Sequence, residues 1–223
     1  MAANPIRDAF ANNRFAYMVE MVPSAKMTEE KILEIASGIA TLPGLVASGI
    51  TSYAGGSAGH DPIRISTIVR DRGLTPNVHL TCVGKDRFEL RSSLETLHEL
   101  GIENVFAITG DYPIGHDPKN SPYDLDVLHL IEMINELRET GYRFHVSCAV
   151  SPFKYTEADC VYQYLKLEKK FAAGADFAIT QLGYDSKKFR ELKRYLAERR
   201  IDKPVFGNVY ILAAKPAEKF NKG

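Results

Sequence analysis

Glu103–Pro113 reads ENVFAITGDYP. Its apolar run, Val105–Ile108, heads into a core and stops at Thr109, Gly110 and Asp111, where polar atoms and a flexible glycine take over. A strand buried on both faces is continuously apolar, and the carboxyl end of such a strand in a parallel sheet is where sites are built. The ending recurs: Gly174–Gln181 is GADFAITQ, and Gly49-Ile50-Thr51 carries the same Ile-Thr pair earlier. Three like endings predict parallel strands whose carboxyl ends share a function.

The flanking segments keep one rhythm. Phe15–Val22 (FAYMVEMV) is an apolar strand with one carboxylate, Glu20, just before Pro23. Met27–Ile39 sets Ile32, Ile35 and Ile39 on one helical face, and Leu45–Thr51 is the next strand. After the glycine-rich stretch Ala54–His60, Asp61-Pro62 is a helix start with side-chain cap and N1 proline; that helix runs Ile63–Arg72 and stops at Gly73. Asn77–Cys82 is a strand, Arg87–Leu100 a helix stopped by Gly101, and Val105–Thr109 a strand. Tyr123–Thr140 (helix), His145–Val150 (strand) and a helix opened by the box-like Thr156–Asp159 and running through Phe171 come next. Phe177–Gln181 (strand), Asp185 to about Arg200 (helix), Pro204–Tyr210 (strand) and Leu212–Phe220 (helix) complete the series.

Strand and helix alternating without a linker specify one α/β domain over residues 1–223. An open doubly wound sheet would place G-x-G-x-x-G after the first strand, and Pro23-Ser24-Ala25-Lys26 stands there instead. The Ile-Thr endings fall on the second, fourth and sixth strands, and alternate strands of a closed barrel fill common interior layers. The expectation is therefore a (βα)8 TIM-type barrel with only about seven βα units evident, the chain being a piece of a longer protein that lacks the last unit.

Composition excludes several classes. Lys plus Arg and Asp plus Glu are 28 each, so no field steers the chain toward nucleic acid or anionic membrane. No run reaches the roughly 18–20 apolar residues of a membrane span. Cys82, Cys148 and Cys160 are scattered without a Cys-x-x-Cys pair, which argues for buried reduced thiols in a cytoplasmic protein rather than a disulfide framework or a zinc site.

The residues that break pattern are the candidates. An acid among Tyr17, Met18 and Val19 is costly to bury unless paired or neutral, so Glu20 is either a salt-bridged carboxylate or a carboxyl with a raised pKa suited to proton transfer. Asp111 either caps a turn with Gly110 and Pro113 or serves a site. Gln181 is either an ordinary strand-end amide or a paired donor and acceptor for a heteroaromatic ring. His79 is structural or ligand-facing, Lys169-Lys170 ordinarily solvated charge, and Gly55–Gly59 lacks the closing Gly-Lys-Ser/Thr of a phosphate loop.

Val19-Glu20-Met21-Val22-Pro23 resembles the first-strand Glu-Phe-Phe-Pro of the methylenetetrahydrofolate reductase family, and Val78-His79-Leu80-Thr81-Cys82 its third-strand His-Leu-Thr-Cys. Ala107–Asp111 resembles its fourth-strand Ala-Leu-Arg-Gly-Asp, and Ala173–Gln181 with Tyr184-Asp185 its sixth-strand motif. Thr109 replaces the common arginine, and Val150–Tyr155 replaces the usual Tyr-Pro-Glu-x-His. The resemblance implies a flavin-dependent barrel that reduces 5,10-methylenetetrahydrofolate to 5-methyltetrahydrofolate, with FAD as cofactor and NADH, NADPH or an electron-carrier protein as donor, possible oligomerisation, and no nucleic-acid or membrane partner. It implies Glu20 as proton donor, Asp111 beside the flavin and pterin, Gln181 on folate and flavin, and Thr51, His79, Thr109 and Lys170 as flavin contacts. The alternatives are a folate-binding or partner-binding barrel without flavin, and a pterin-dependent methyltransferase, both colourless.

Overall fold

Seven short apolar segments, each followed by a helix-forming stretch, arrange themselves in sequence order. In the computed structural model, which describes residues 4–52, 59–112 and 122–211, the strands are β1 (Tyr17–Met21), β2 (Leu45–Ile50), β3 (Pro76–Thr81), β4 (Asn104–Ile108), β5 (His145–Val150), β6 (Phe177–Thr180) and β7 (Val205–Phe206). Each is parallel to the next, in the order β1-β2-β3-β4-β5-β6-β7. An order that never reverses is that of a barrel, since a doubly wound sheet turns back at its switch point.

Around the strands lie α2 (Glu29–Ala40), α3 (Pro62–Asp71), α4 (Arg87–Glu99), α5 (Val127–Glu139), α6 (Glu157–Ala172) and α7 (Ser186–Glu198), while α1 (Pro5–Ala11) precedes β1. The helix signals act as read: Asp61 accepts from Ile63 N–H with Pro62 at the first turn, Asp185 caps α7, and Thr156 accepts from Asp159 N–H. A reciprocal capping box stands elsewhere, at Asp86 and Glu89. Gly73 closes α3 in the left-handed conformation, at φ +82°.

Strand alternation divides the apolar residues into two outer layers and an interior. Met21 and Ile50 pack with Ile32, Ala36, Ile65 and Val69 under α2 and α3, and Val78, Leu80, Val105, Ala107, Val146 and Cys148 pack under α4–α7. The interior gathers Ile6, Ala47, Phe177 and Ile179 with Phe10, Met18, Phe106 and Phe206, so α1 and five strands meet in one cluster. Such a meeting requires the sheet to curl on itself. Asn77 and Ser147, on strands separated by β4, also face each other across it, 3.4 Å apart. Burying Ile6 completely is worth about 2 kcal/mol.

Three expectations change. The Ile-Thr endings do not make one interior layer: Ile50 faces α2 and α3, whereas Ile179 faces inward, because the strand registers set Ile50 in one row with Val78, Val105 and Val146, while Ile179 pairs with Ala149, three residues beyond Val146, and an odd offset along a strand reverses the face. The even strands instead meet in the interior through Ala47, Phe106, Phe177 and Ile179. The seventh strand is two residues long rather than Pro204–Tyr210, and α1 is unforeseen. The expected helix Leu212–Phe220, most of the glycine-rich loop and Pro113 lie outside the described residues.

Candidate functional site

The carboxyl ends of the strands open at one mouth. Glu20 is the last inward-facing residue of β1, paired in register with Gly49 of β2. A methyl group on Gly49 would stand 3.5 Å from His79 Nε2 and 3.6 Å from Glu20 Cγ, so the bare glycine leaves a floor with the carboxyl on one side and the imidazole on the other. Glu20 is not buried among its sequence neighbours: alternation turns Met21 outward to the helices and leaves the carboxyl exposed at the mouth. The barrel walls still strip water from around it. That desolvation pushes its pKa above the ordinary carboxyl range, against a smaller lowering from a hydrogen bond with the Asn208 side chain.

His79 lies deeper, 8% exposed, with its ring edge-to-face on Phe106 at a 4.8 Å centroid distance. Burial lowers its pKa to about 4, so the imidazole is neutral at neutral pH and offers one donor and one acceptor. Thr51 hydroxyl donates to the Met21 carbonyl at 3.0 Å and ties the ends of β1 and β2 together. Next to it, Ser52 Oγ is buried with no hydrogen-bond partner among the described residues. An orphaned hydroxyl of this kind is costly unless a ligand or water completes it.

Across the mouth, Gly110 stands at φ +80° with its Cα so close to Thr81 that an added Cβ would meet Thr81 Cβ at 2.8 Å. Only glycine satisfies both conditions. The sharp tip it makes turns Thr109 and Asp111 outward to solvent, where the Thr109 carbonyl accepts from Cys82 N–H at 3.1 Å and Val83 N–H at 2.9 Å and its side chain meets Tyr123. Gln181, also exposed, is fixed by its N–H on the Val150 carbonyl at 2.7 Å, and its own Oε1 accepts from Leu182 N–H. Lys170 stands apart. It reaches from α6 to the Ala149 carbonyl at 2.7 Å, half-buried beside Cys148 on the helix side of the sheet.

Asn208 is a residue that sequence reading passed over. It follows β7, takes Thr180 Oγ1 with its backbone N–H at 2.9 Å, gives its carbonyl to Gly183 N–H at 3.2 Å, and hydrogen-bonds Glu20 with its side chain. It thereby links β6 to β1 across the seam of the ring. A single asparagine in a loop of the sequence carries no periodic signal, so nothing local marks it. In the segment Val150–Tyr155, the Phe153 ring lies against Gly183, where a Cβ would come within 2.2 Å of it.

The three cysteines are free and buried. Among the described residues, no helix is long and apolar enough to cross a membrane.

A family model described as methylenetetrahydrofolate reductase matches residues 5–222. The chain is 30% identical over 158 residues to the 5,10-methylenetetrahydrofolate reductase of Salmonella typhimurium, covering 70% of this chain and 51% of that protein. It is 30% identical over 155 residues to the enzyme of the same name from Escherichia coli, covering 68% and 50%. A probable methylenetetrahydrofolate reductase (NADPH) of Caenorhabditis elegans is 29% identical over 61% of this chain and 20% of its own length. The chain thus spans about half the length of the bacterial relatives and less of the worm protein. Among solved structures, a Clostridium thermocellum protein described as binding two copies of 5-methyl-5,6,7,8-tetrahydrofolic acid superimposes with a TM-score of 0.69 at 14% identity, over 97% of this chain and 73% of that one. A 2,3-dimethylmalate lyase superimposes at 0.62 with 13% identity, over 98% and 78%. At such identities these two report the barrel fold alone.

Proposed function

The chain belongs to the methylenetetrahydrofolate reductase family, and from that premise we propose that its strand-end mouth binds FAD and reduces 5,10-methylenetetrahydrofolate to 5-methyltetrahydrofolate. The observation that carries the reading is the Glu20 carboxyl, raised in pKa at the mouth and separated from a neutral His79 only by the bare backbone of Gly49. The residues present fit a flat heteroaromatic cofactor: a side-chain-free floor at Gly49, an orphaned hydroxyl at Ser52, and the polar tips Thr51, Thr109, Asp111 and Gln181 around the rim. FAD supplies hydride when bound.

The chain's own residues hold position and protons. Opening the five-membered ring of methylenetetrahydrofolate releases a nitrogen that needs a proton, and Glu20 delivers it. Asn208 orients that carboxyl, Gln181 and Asp111 hold the pterin and the ring system against it, and His79 with Thr51 lines the cofactor wall. Lys170 is assigned to the same pocket only from outside: with its ammonium on Ala149 it fixes the end of β5. NADH, NADPH or a carrier protein supplies the electrons, and a reducing cytoplasm suits the three free thiols.

The purified protein should be yellow, with a non-covalent FAD released on denaturation; a colourless protein that binds 5-methyltetrahydrofolate would assign a folate-binding barrel instead. In rapid-mixing experiments, Glu20→Gln should leave flavin reduction by nicotinamide within a few-fold and slow folate reduction by roughly 10²-fold or more. Equal slowing of both halves would place the acid elsewhere.

A further inference from the structure

At the opposite end of the barrel, where the strands begin, a cavity of about 380 Å³ lies between α1, the end of α5 and the starts of β5 and β6, lined by Arg7, Arg138, Tyr142, Arg143, Phe144 and Asp176. Two of its guanidiniums converge on one oxygen: Arg7 Nη2 donates to the Phe144 carbonyl at 2.6 Å and Arg138 Nε to the same atom at 3.1 Å. Like charges held this close repel, and a single carbonyl neutralises neither. Arg138 has a carboxylate of its own in Asp176, and it also grips the Gly174 carbonyl at 2.8 Å. Arg7 has no such partner: apart from the Phe144 carbonyl, its side-chain N–H groups find no acceptor among the described residues, and the side chain is exposed. Arg143 stands half-exposed at the rim, 3.5 Å from Glu103.

With Arg138 paired to Asp176 and Arg143 to Glu103, the Arg7 guanidinium is the positive charge of the cavity left without a carboxylate among the described residues, in a chain whose formal net charge is zero. The excess reaches inward. Arg7, Arg138 and Lys203 each disfavour protonation of the neighbouring buried His145, whose pKa lies at about 4 chiefly through burial and against an opposing pull from Asp176. The uncompensated guanidinium of Arg7, beside those of Arg138 and Arg143 in a concave, water-reached space, matches the fork geometry by which arginine takes up phosphate and carboxylate oxygens.

We propose that this cavity is an anion site for a small ligand bearing at least two phosphate or carboxylate groups, bridging Arg7 of α1 to Arg138 and Arg143. The ligand closes α1 onto the barrel, because Arg7 lies one residue from Ile6, whose side chain is buried in the barrel interior. The site is independent of the flavin and folate reading, since it lies at the other end of the strands.

Inorganic pyrophosphate is the probe, titrated by calorimetry into the full chain at constant ionic strength. One molecule should bind per chain, raise the unfolding temperature and shift the NMR signals of the His145 ring. Arg7→Gln and Arg143→Gln should each weaken binding by roughly tenfold or more, while Arg194→Gln, which removes the same charge from the outer face of α7, should leave it unchanged. Equal loss in all three variants would reduce the effect to net charge and overturn the proposal. So would binding that leaves His145 unmoved, or no binding at millimolar pyrophosphate. Arg143→Gln, at a half-exposed rim position, keeps the test valid if Arg7→Gln unfolds α1.

Discussion

Two influences oppose each other at the Glu20 carboxyl, desolvation raising its pKa and the Asn208 amide lowering it. Removing the amide leaves only the first. Asn208→Ala should therefore move the Glu20 pKa further up, so the protonated, proton-donating form persists to higher pH and the alkaline limb of the folate half-reaction shifts upward. A pH-rate profile that keeps its limb in place would deny Asn208 any hold on the carboxyl. Two histidines act on stability instead. His79 and His145 are buried with pKa values of about 4, below their ordinary 6.5, so between these values the unfolded chain binds more protons than the folded one. Stability is fully present above about pH 6.5 and falls as pH drops toward 4. At about pH 5 each ring costs roughly 2 kcal/mol, and His79→Gln should remove about that much of the difference between unfolding free energies at pH 7 and pH 5. An unchanged difference in urea titrations would show that His79 does not titrate with folding.

The tip of β4 depends on a glycine in a way that the end of α3 does not. Gly110 and Gly73 share a left-handed backbone, at φ +80° and +82°, but an added Cβ meets Thr81 at 2.8 Å in the first and nothing within 4 Å in the second. Gly73→Ala should cost about 1 kcal/mol, the strain of the conformation alone. Gly110→Ala adds a clash of roughly 1–3 kcal/mol and displaces Thr109 and Asp111, so it should be the more destabilising in denaturant titrations and should weaken FAD binding besides. Similar costs for both would mean that Thr81 yields freely. Position 110 was legible as a strand tip from ENVFAITGDYP. Its intolerance of a side chain was not, because Thr81 lies on another strand, 29 positions away.

On the scale of the molecule, α1 does what no local pattern announces. Ile6 is fully buried, and Phe10 packs against Phe177 and Phe206 at centroid distances of 5.4 and 5.6 Å, so a seven-residue helix plugs the end of the barrel opposite the mouth. Ile6→Ala should destabilise by roughly 2–5 kcal/mol in chemical unfolding. A loss below about 1 kcal/mol would mean that the ring closes without its plug.

The alternation of β1–β7 with α2–α7, the caps at Asp61, Thr156 and Asp185, and the presence of Glu20, Asp111 and Gln181 at strand ends were settled by the sequence alone, because periodicity, capping chemistry and the end of an apolar run are properties of neighbours in the chain. The facing of each residue was left to the tertiary structure. The registers between β2 and β6 send Ile50 to the helices and Ile179 to the interior although both precede threonine, and Lys170 is turned to the back of β5 by its place on α6. Asn208, Gly49 and the converging arginines acquire their meaning only when strands distant in sequence close on one another, since a hydrogen bond or a charge acts through space over a few ångströms and leaves no period in the chain.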